Sequence, residues 1–461
     1  MNFNFLTEKT DETNLLQQTH QYRTERSKRL FWAVATSILT RPLAVIIPWV
    51  TVPLFIGYLG KEGYGLYQSI GSLGAWLSLS NAGLGMGLMN RLSDCYISKD
   101  QADARKHVST MVVGLLGISS IMFLLVGMLI PTVSWNLFFP TDDEVLARQV
   151  PWAVATTALC IIVSLPLGIL QPIYSAYQEI QTLNIWDGLR RLVLLGSCLL
   201  IIYTNWRLPG VVLVTAGAGV PISLINTYFL FRNKPWLRPS FKLFDFGLMC
   251  SMLKQGMGFF LLQLSVVLLY QTDRMIIGNL LGQEAVTSYA VAAQLFMIIH
   301  GMFMLILGPL WPAIGEALRR GDIVWVQKFI RLCSALGILF VILIGVMFVI
   351  WRDEIMVYWT RRSDITVSPI IIIGMTLTFA MRIWIDTRAT ALNSLNIIKP
   401  QIVFWSIHAG ISICLSVMGI MYIGIEVAAW SALIGGMASS FWGYRWMMRK
   451  YVYVMGKEKQ F

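Results

Sequence analysis

Blocks of twenty or more apolar residues recur along the whole chain, and no other feature limits its fold as strongly. A helix needs about 20 apolar residues to cross a bilayer. Backbone polar groups in lipid must pair within the spanning structure, and strand patterning is absent over these lengths. The sequence therefore predicts an all-α polytopic membrane protein with about 12 transmembrane helices. The spans fall near 31–58, 65–89, 108–135, 150–172, 187–204, 208–231, 249–272, 285–315, 329–351, 366–391, 400–423 and 426–447. The connections are too short to fold alone.

Composition agrees. Only 13% of the 461 residues are charged and 56% are hydrophobic, against roughly 25% charged in a soluble domain. The formal net charge of +12 sits in loops, not on a basic and aromatic surface domain, which excludes nucleic acid as a partner. Of the 36 Lys and Arg, 27 fall on the face that carries both termini, 7 on the other, and Arg41 and Arg382 inside spans. The positive-inside rule then puts residues 1–30 and 448–461 in the cytoplasm. Residues 1–30 are polar and of mixed charge, so no cleavable signal peptide is expected and the first apolar run serves as an uncleaved span. The six cysteines form no C-x-x-C pair and the four histidines have no metal-ligand spacing, so no metal and no cofactor is expected. Gly83, Gly85 and Gly87 spell G-x-G-x-G without a preceding strand, which reads as close helix packing.

The two halves of the chain repeat each other. Gly57 matches Gly278 at an offset of 221, and Gly60–Gly282, Glu62–Glu284, Tyr67–Tyr289, Asp100–Asp322 and Lys106–Lys328 match at 222. A repeat of six spans predicts two six-helix lobes the same way up, 31–231 and 249–447, joined by a cytoplasmic linker at 232–248. They would be related by a pseudo-two-fold axis along the membrane normal around a central cavity, the plan of a transporter working by alternating access.

Ionisable residues at membrane depth are costly and mark function. Arg41 has no carboxylate within four residues, Arg382 has Asp386 one turn on, and Lys254 opens the seventh span. These three are the candidate cavity cations. Asn81, Asn90, Gln255 and Gln263 are candidate polar contacts, each equally suited to interhelical hydrogen bonding. His300 is a candidate carrier of a coupling proton, with Asp386 beside it in the candidate set. Asp273 and Arg274 are expected to pair with each other at the outer end of the seventh span.

The stretches FIGYLGKEGYGLYQ and YQTDRMIIGNLLGQEAVTSYAVA resemble recurring segments of the multidrug/oligosaccharidyl-lipid/polysaccharide exporter superfamily. With the repeat and the span count, the likeness covers about residues 30–450 and is nearest to the O-antigen flippases. It implies that a lipid-linked oligosaccharide moves from the cytoplasmic to the periplasmic leaflet of a bacterial inner membrane. A carrier of undecaprenyl-diphosphate-linked sugars needs cavity cations, because Arg binds a diphosphate bidentately. Membrane lipid, a coupling ion (H+ or Na+) and a polysaccharide polymerase are the other partners expected. The alternative is a multidrug cation extruder, but such relatives usually place a carboxylate in the first span, where this chain has Arg41. A membrane enzyme of polysaccharide assembly is disfavoured, because the external loop at Asp142, Asp143 and Glu144 looks like a solvated rim.

Overall fold

The computed structural model describes residues 32, 35, 36, 39, 40, 42–79 and 82–453. They form helices and connecting turns, with no strand among them. The first half comprises α1 (Pro42–Ser78), α2 (Ala82–Ser98), α3 (Gln101–Thr132), α4 (Glu144–Ser164), α5 (Leu170–Ala176), α6 (Ile180–Ile201), α7 (Arg207–Gly217) and α8 (Gly219–Asn233). The second comprises α9 (Phe246–Leu281), α10 (Gln283–Arg320), α11 (Ile323–Ile350), α12 (Arg352–Thr360), α13 (Pro369–Ser394), α14 (Lys399–Tyr422), α15 (Glu426–Gly435) and α16 (Phe441–Met447). Nine helical stretches among the described residues are long and apolar enough to cross a membrane. One of the nine, Pro42–Trp76, is two segments, because the backbone breaks at Gly60.

The repeat read from the sequence recurs in the backbone. Gly60 (φ 78°, ψ 176°) and Gly282 (φ 85°, ψ 167°) share one conformation, at which each joins two consecutive helices. A side chain is strained there, which is why glycine stands at both places. Asp100 and Asp322 each cap the following helix by accepting from the backbone N–H three residues on, worth ~1 kcal/mol apiece. Each cap follows a residue with positive φ, Lys99 and Gly321. These features define two ends of the bundle, a Gly60 end and an Asp100 end.

Packing differs between them. Toward the Gly60 end, Phe55, Leu66 and Ile70 share one continuous apolar core with Ile277, Val286 and Phe296 of the second half. Toward the Asp100 end there are two cores. One holds Leu88, Leu92, Val108 and Ile173 with Met252, the other Leu269, Ile314, Ile330 and Trp405. The connection between the halves is fastened to α3. Arg105 donates to the Arg238 carbonyl (2.9 Å), the Ser240 N–H donates to Ser109 (3.1 Å), and Lys106 pairs with Asp245 (2.8 Å). Asp245, outside the spans, is held below the ordinary carboxylate range by its hydrogen bond with Lys106.

Candidate functional site

One face of α9 runs along the first half. At 100° per residue, Met252, Gly256, Gln263, Tyr270 and Arg274 lie within a narrow stripe. Its ends touch the first half. At the Gly60 end, Arg274 donates to Gln68 (2.9 Å), and beside it Ser69 donates to Gln283 (2.9 Å) and Lys61 pairs with Glu284 (3.1 Å). Gly65 lies so close to Gln283 that an added methyl would overlap the Gln283 carbonyl. At the Asp100 end, Arg91 reaches Ser251 (3.5 Å). With its amide turned to satisfy both groups, Gln255 accepts from Arg91 Nη2 at 2.8 Å. Gly87 also lies so close to Met252 that an added methyl would overlap the Met252 carbonyl, though less tightly than at Gly65.

Between these contacts stands a cluster from three helices. The Arg382 guanidinium of α13 lies 4.2 Å from the centre of the Tyr270 ring of α9, a cation–π contact. Its Nε is 3.8 Å from Asp386 Oδ2. His300 of α10 binds the same oxygen through Nε2 at 2.7 Å. Side-chain exposures of 15% for Arg382, 20% for Asp386 and 9% for His300 keep the cluster nearly dry but not sealed. A cavity of about 50 Å³ borders it, lined by Tyr270, Met297 and Phe379 with Asp273, Tyr289 and Thr378. That volume holds more than one water.

The expected pairing of Asp386 with Arg382 is thus loose, because His300 holds the carboxylate more closely. Asp273 and Arg274 do not pair as expected. Asp273 accepts from Ser416 (2.9 Å) and Tyr289 (3.3 Å), while Arg274 turns to Gln68. Adjacent residues on a helix point 100° apart and meet different neighbours. Of the other expected residues, Arg41 and Asn81 lie outside the described residues. Lys254, Asn90 and Gln263 are exposed, with Gln263 on the stripe between the halves. Gln255 holds Arg91, so its geometry is that of a contact between the halves.

Three cations counted with the cytoplasmic face lie within helices. Arg91 lies within α2 and Arg388 within α13, where Arg388 stacks on Trp384 (3.6 Å) and donates to Ser334 (3.2 Å). Arg191 is the third. Helix α6 begins at Ile180, not near 187, which carries Arg190 and Arg191 ~15 Å into it. Arg191 shares a face with Asn184 and Gly188, which pack on Thr36 and Thr40 just before α1. A second cavity of about 420 Å³ lies in the first half, lined by Gln171, Trp186, Asp187, Arg190, Ser223 and Asn226. Cys95, Asp103 and His107 gather at the α2–α3 turn, where Cys95 and His107 both hydrogen-bond Asp103. Only folding brings these three together.

Comparison with known proteins places this geometry. A family model described as polysaccharide biosynthesis protein matches residues 31–318. A Salmonella typhimurium (strain LT2) protein, named as a candidate O-antigen transporter, is 24% identical over 372 residues, 79% of this chain and 83% of that one. Among solved structures, an inward-facing MATE multidrug resistance transporter of the MOP superfamily superposes with a TM-score of 0.77 at 12% identity, covering 92% of this chain and 99% of that one. The lipid II flippase MurJ, in an inward closed conformation, gives 0.69 at 14% identity, covering 90% and 86%. The fold is shared with both.

Proposed function

This chain belongs to the polysaccharide biosynthesis protein family, and from that premise we propose that it is a flippase for an undecaprenyl-diphosphate-linked oligosaccharide. It carries the substrate from the cytoplasmic to the periplasmic leaflet of a bacterial inner membrane, as a step in O-antigen or related surface polysaccharide synthesis. The chain works as a transporter, not an enzyme. Two six-helix lobes, 31–231 and 249–447, rock about the linker at 232–248. Both termini face the cytoplasm, which makes the Asp100 end cytoplasmic and the Gly60 end periplasmic. The polymer is finished by a polysaccharide polymerase acting on the delivered substrate.

The observation that carries this reading is Arg382. It is a guanidinium of the second half, stacked on Tyr270 of the helix that runs along the first half, and only loosely matched by a carboxylate. A diphosphate leaving headgroup water needs such a partner, because the planar fork satisfies two oxygens at once. An organic cation would be repelled from it. Arg41 is the proposed second anchor, and Lys254, Arg91 and Arg191 supply positive charge on the approach from the cytoplasm.

Surface polysaccharide measured in cells at matched protein levels tests the reading. Arg382→Ala is expected to lower it at least tenfold, the loss of a charge-assisted bond worth about 1.5–3 kcal/mol. Arg382→Lys restores part, since charge survives but the fork does not. Arg41→Ala is expected to fail in the same way. Normal polysaccharide in Arg382→Ala, or export of an organic cation without any polysaccharide defect in the null strain, overturns the proposal.

A further inference from the structure

The cluster around Asp386 has two claimants for one oxygen. His300 Nε2 lies 2.7 Å and Arg382 Nε 3.8 Å from Asp386 Oδ2. We infer that anion binding at Arg382 is linked to proton uptake at His300, with Asp386 passed between them. This rests on the reading of Arg382 as the diphosphate anchor.

A neutral His300 already donates Nε2–H to Asp386. The carboxylate keeps its full charge, so it still attracts Arg382 and competes with any incoming anion. A proton added at Nδ1, which has no hydrogen-bond partner among the described residues, turns His300 into a cation in direct contact with Asp386. The carboxylate is then neutralised from the histidine side, and the guanidinium fork is free for two phosphate oxygens. Linkage is reciprocal: if the proton favours the anion, the anion favours the proton by the same factor. A diphosphate docking here draws in a proton and crosses the membrane with less net negative charge.

The surroundings leave this unit to itself. The titratable and charged groups near it are Tyr270, Asp273 and Arg274 on α9, Tyr289 on α10 and Tyr444 on α16, with Arg274 held by Gln68. Asp273 is already bonded to Ser416 and Tyr289. From the other helices packed on α10, α1 carries charge only at Lys61 and Glu62, beside the break at Gly60, and α11 only at Lys328 and Arg331, near its start. Arg388, further along α13, is occupied by Trp384 and Ser334. The cavity of about 50 Å³ shares Tyr270, Met297 and Phe379 with the cluster, so water can reach its edge and relay the proton.

The test is binding of farnesyl diphosphate to the purified full-length protein in nanodiscs, over roughly two pH units around neutrality. Wild type is expected to bind more tightly as pH falls, by up to about tenfold per unit. His300→Gln is expected to lose that dependence and to bind with the weaker, high-pH affinity. Asp386→Asn is expected to bind tightly throughout, because the competitor for Arg382 is gone. The ligand's own titration is common to every variant, so differences between them report the protein. Proton uptake on adding ligand to wild type in weak buffer, read with a pH dye, needs no variant to fold. Equal pH profiles in wild type and His300→Gln, or uptake no larger than the ligand's own, overturn the linkage. Unchanged binding in Arg382→Ala overturns the anchor itself, a separate result.

Discussion

The halves meet at two ends, and the two contacts are built differently. At the Gly60 end one apolar core runs through both halves, and the buried Ser69–Gln283 bond, Arg274–Gln68 and Lys61–Glu284 tie them together. At the Asp100 end the cores are separate, and the bridge is Arg91 with Ser251 and Gln255, beside the close approach of Gly87 to Met252. Apolar contact gains little in lipid, where shape fit and interhelical hydrogen bonds decide. By both measures the Gly60 end is the firmer. Under the proposed orientation the molecule is closed toward the periplasm by a continuous core with several polar ties and toward the cytoplasm by the packing of α2 on α9 with fewer. Substrate entry then needs less rearrangement than release.

The sharpest way to break this comparison is to wedge each end in turn. A methyl at Gly65 overlaps the Gln283 carbonyl and one at Gly87 overlaps that of Met252. Gly65→Ala is expected to cost the Gly60-end contact about 1–3 kcal/mol by overpacking, enough to raise amide hydrogen exchange in residues 61–72 and 283–290. Gly87→Ala should raise it in residues 85–92 and 249–256 instead. Increased exchange at the same end in both variants would break the comparison. Gln283→Ala comes next. It strips a buried hydrogen bond from Ser69, and about 1–3 kcal/mol should be lost from the Gly60 end alone. Arg91→Ala removes a partly exposed contact worth about 0.5–1.5 kcal/mol; labelling of a cysteine engineered between the halves from the cytoplasmic side should rise modestly, and a fall would count against it.

The smallest effect belongs to pH. Outside the spans, the hydrogen bond from Arg362 holds the Asp364 carboxyl below the ordinary carboxylate range, and Lys61 donates to the Asp364 carbonyl (3.2 Å). A depressed carboxylate stabilises above its unfolded pKa, and the contribution is lost as pH falls through the folded value. The pair is well exposed, so its effect is small. Acidification below the usual carboxylate range should loosen residues 361–368 slightly, seen as faster proteolysis there, and Asp364→Asn should remove that response.

Much of this molecule was legible in the chain. Spans follow from composition, and the repeat matched Gly60 with Gly282, which share a backbone conformation that disfavours side chains. Asp100 and Asp322 likewise proved to be matched caps. What failed was the reading of helix ends. Arg91, Arg191 and Arg388 count with the cytoplasmic face in a tally of charges, because each stands toward the end of an apolar block, while the helices continue past them. Pairings across the fold were out of reach. His300 and Asp386 are 86 residues apart in sequence, and only the packing of α10 on α13 sets their distance. Asp273 and Arg274, adjacent in sequence, looked like a pair and are not one.

Translocation in reconstituted vesicles tests the central claim most directly. Purified protein is placed in liposomes with an undecaprenyl-diphosphate-linked oligosaccharide, and access of an external lectin or glycosidase to the sugar is followed over time. Wild type is expected to move the sugar between leaflets and Arg382→Ala to remain near the protein-free rate, with Arg382→Lys between. Movement by Arg382→Ala as fast as by wild type, or none by wild type, would contradict the account.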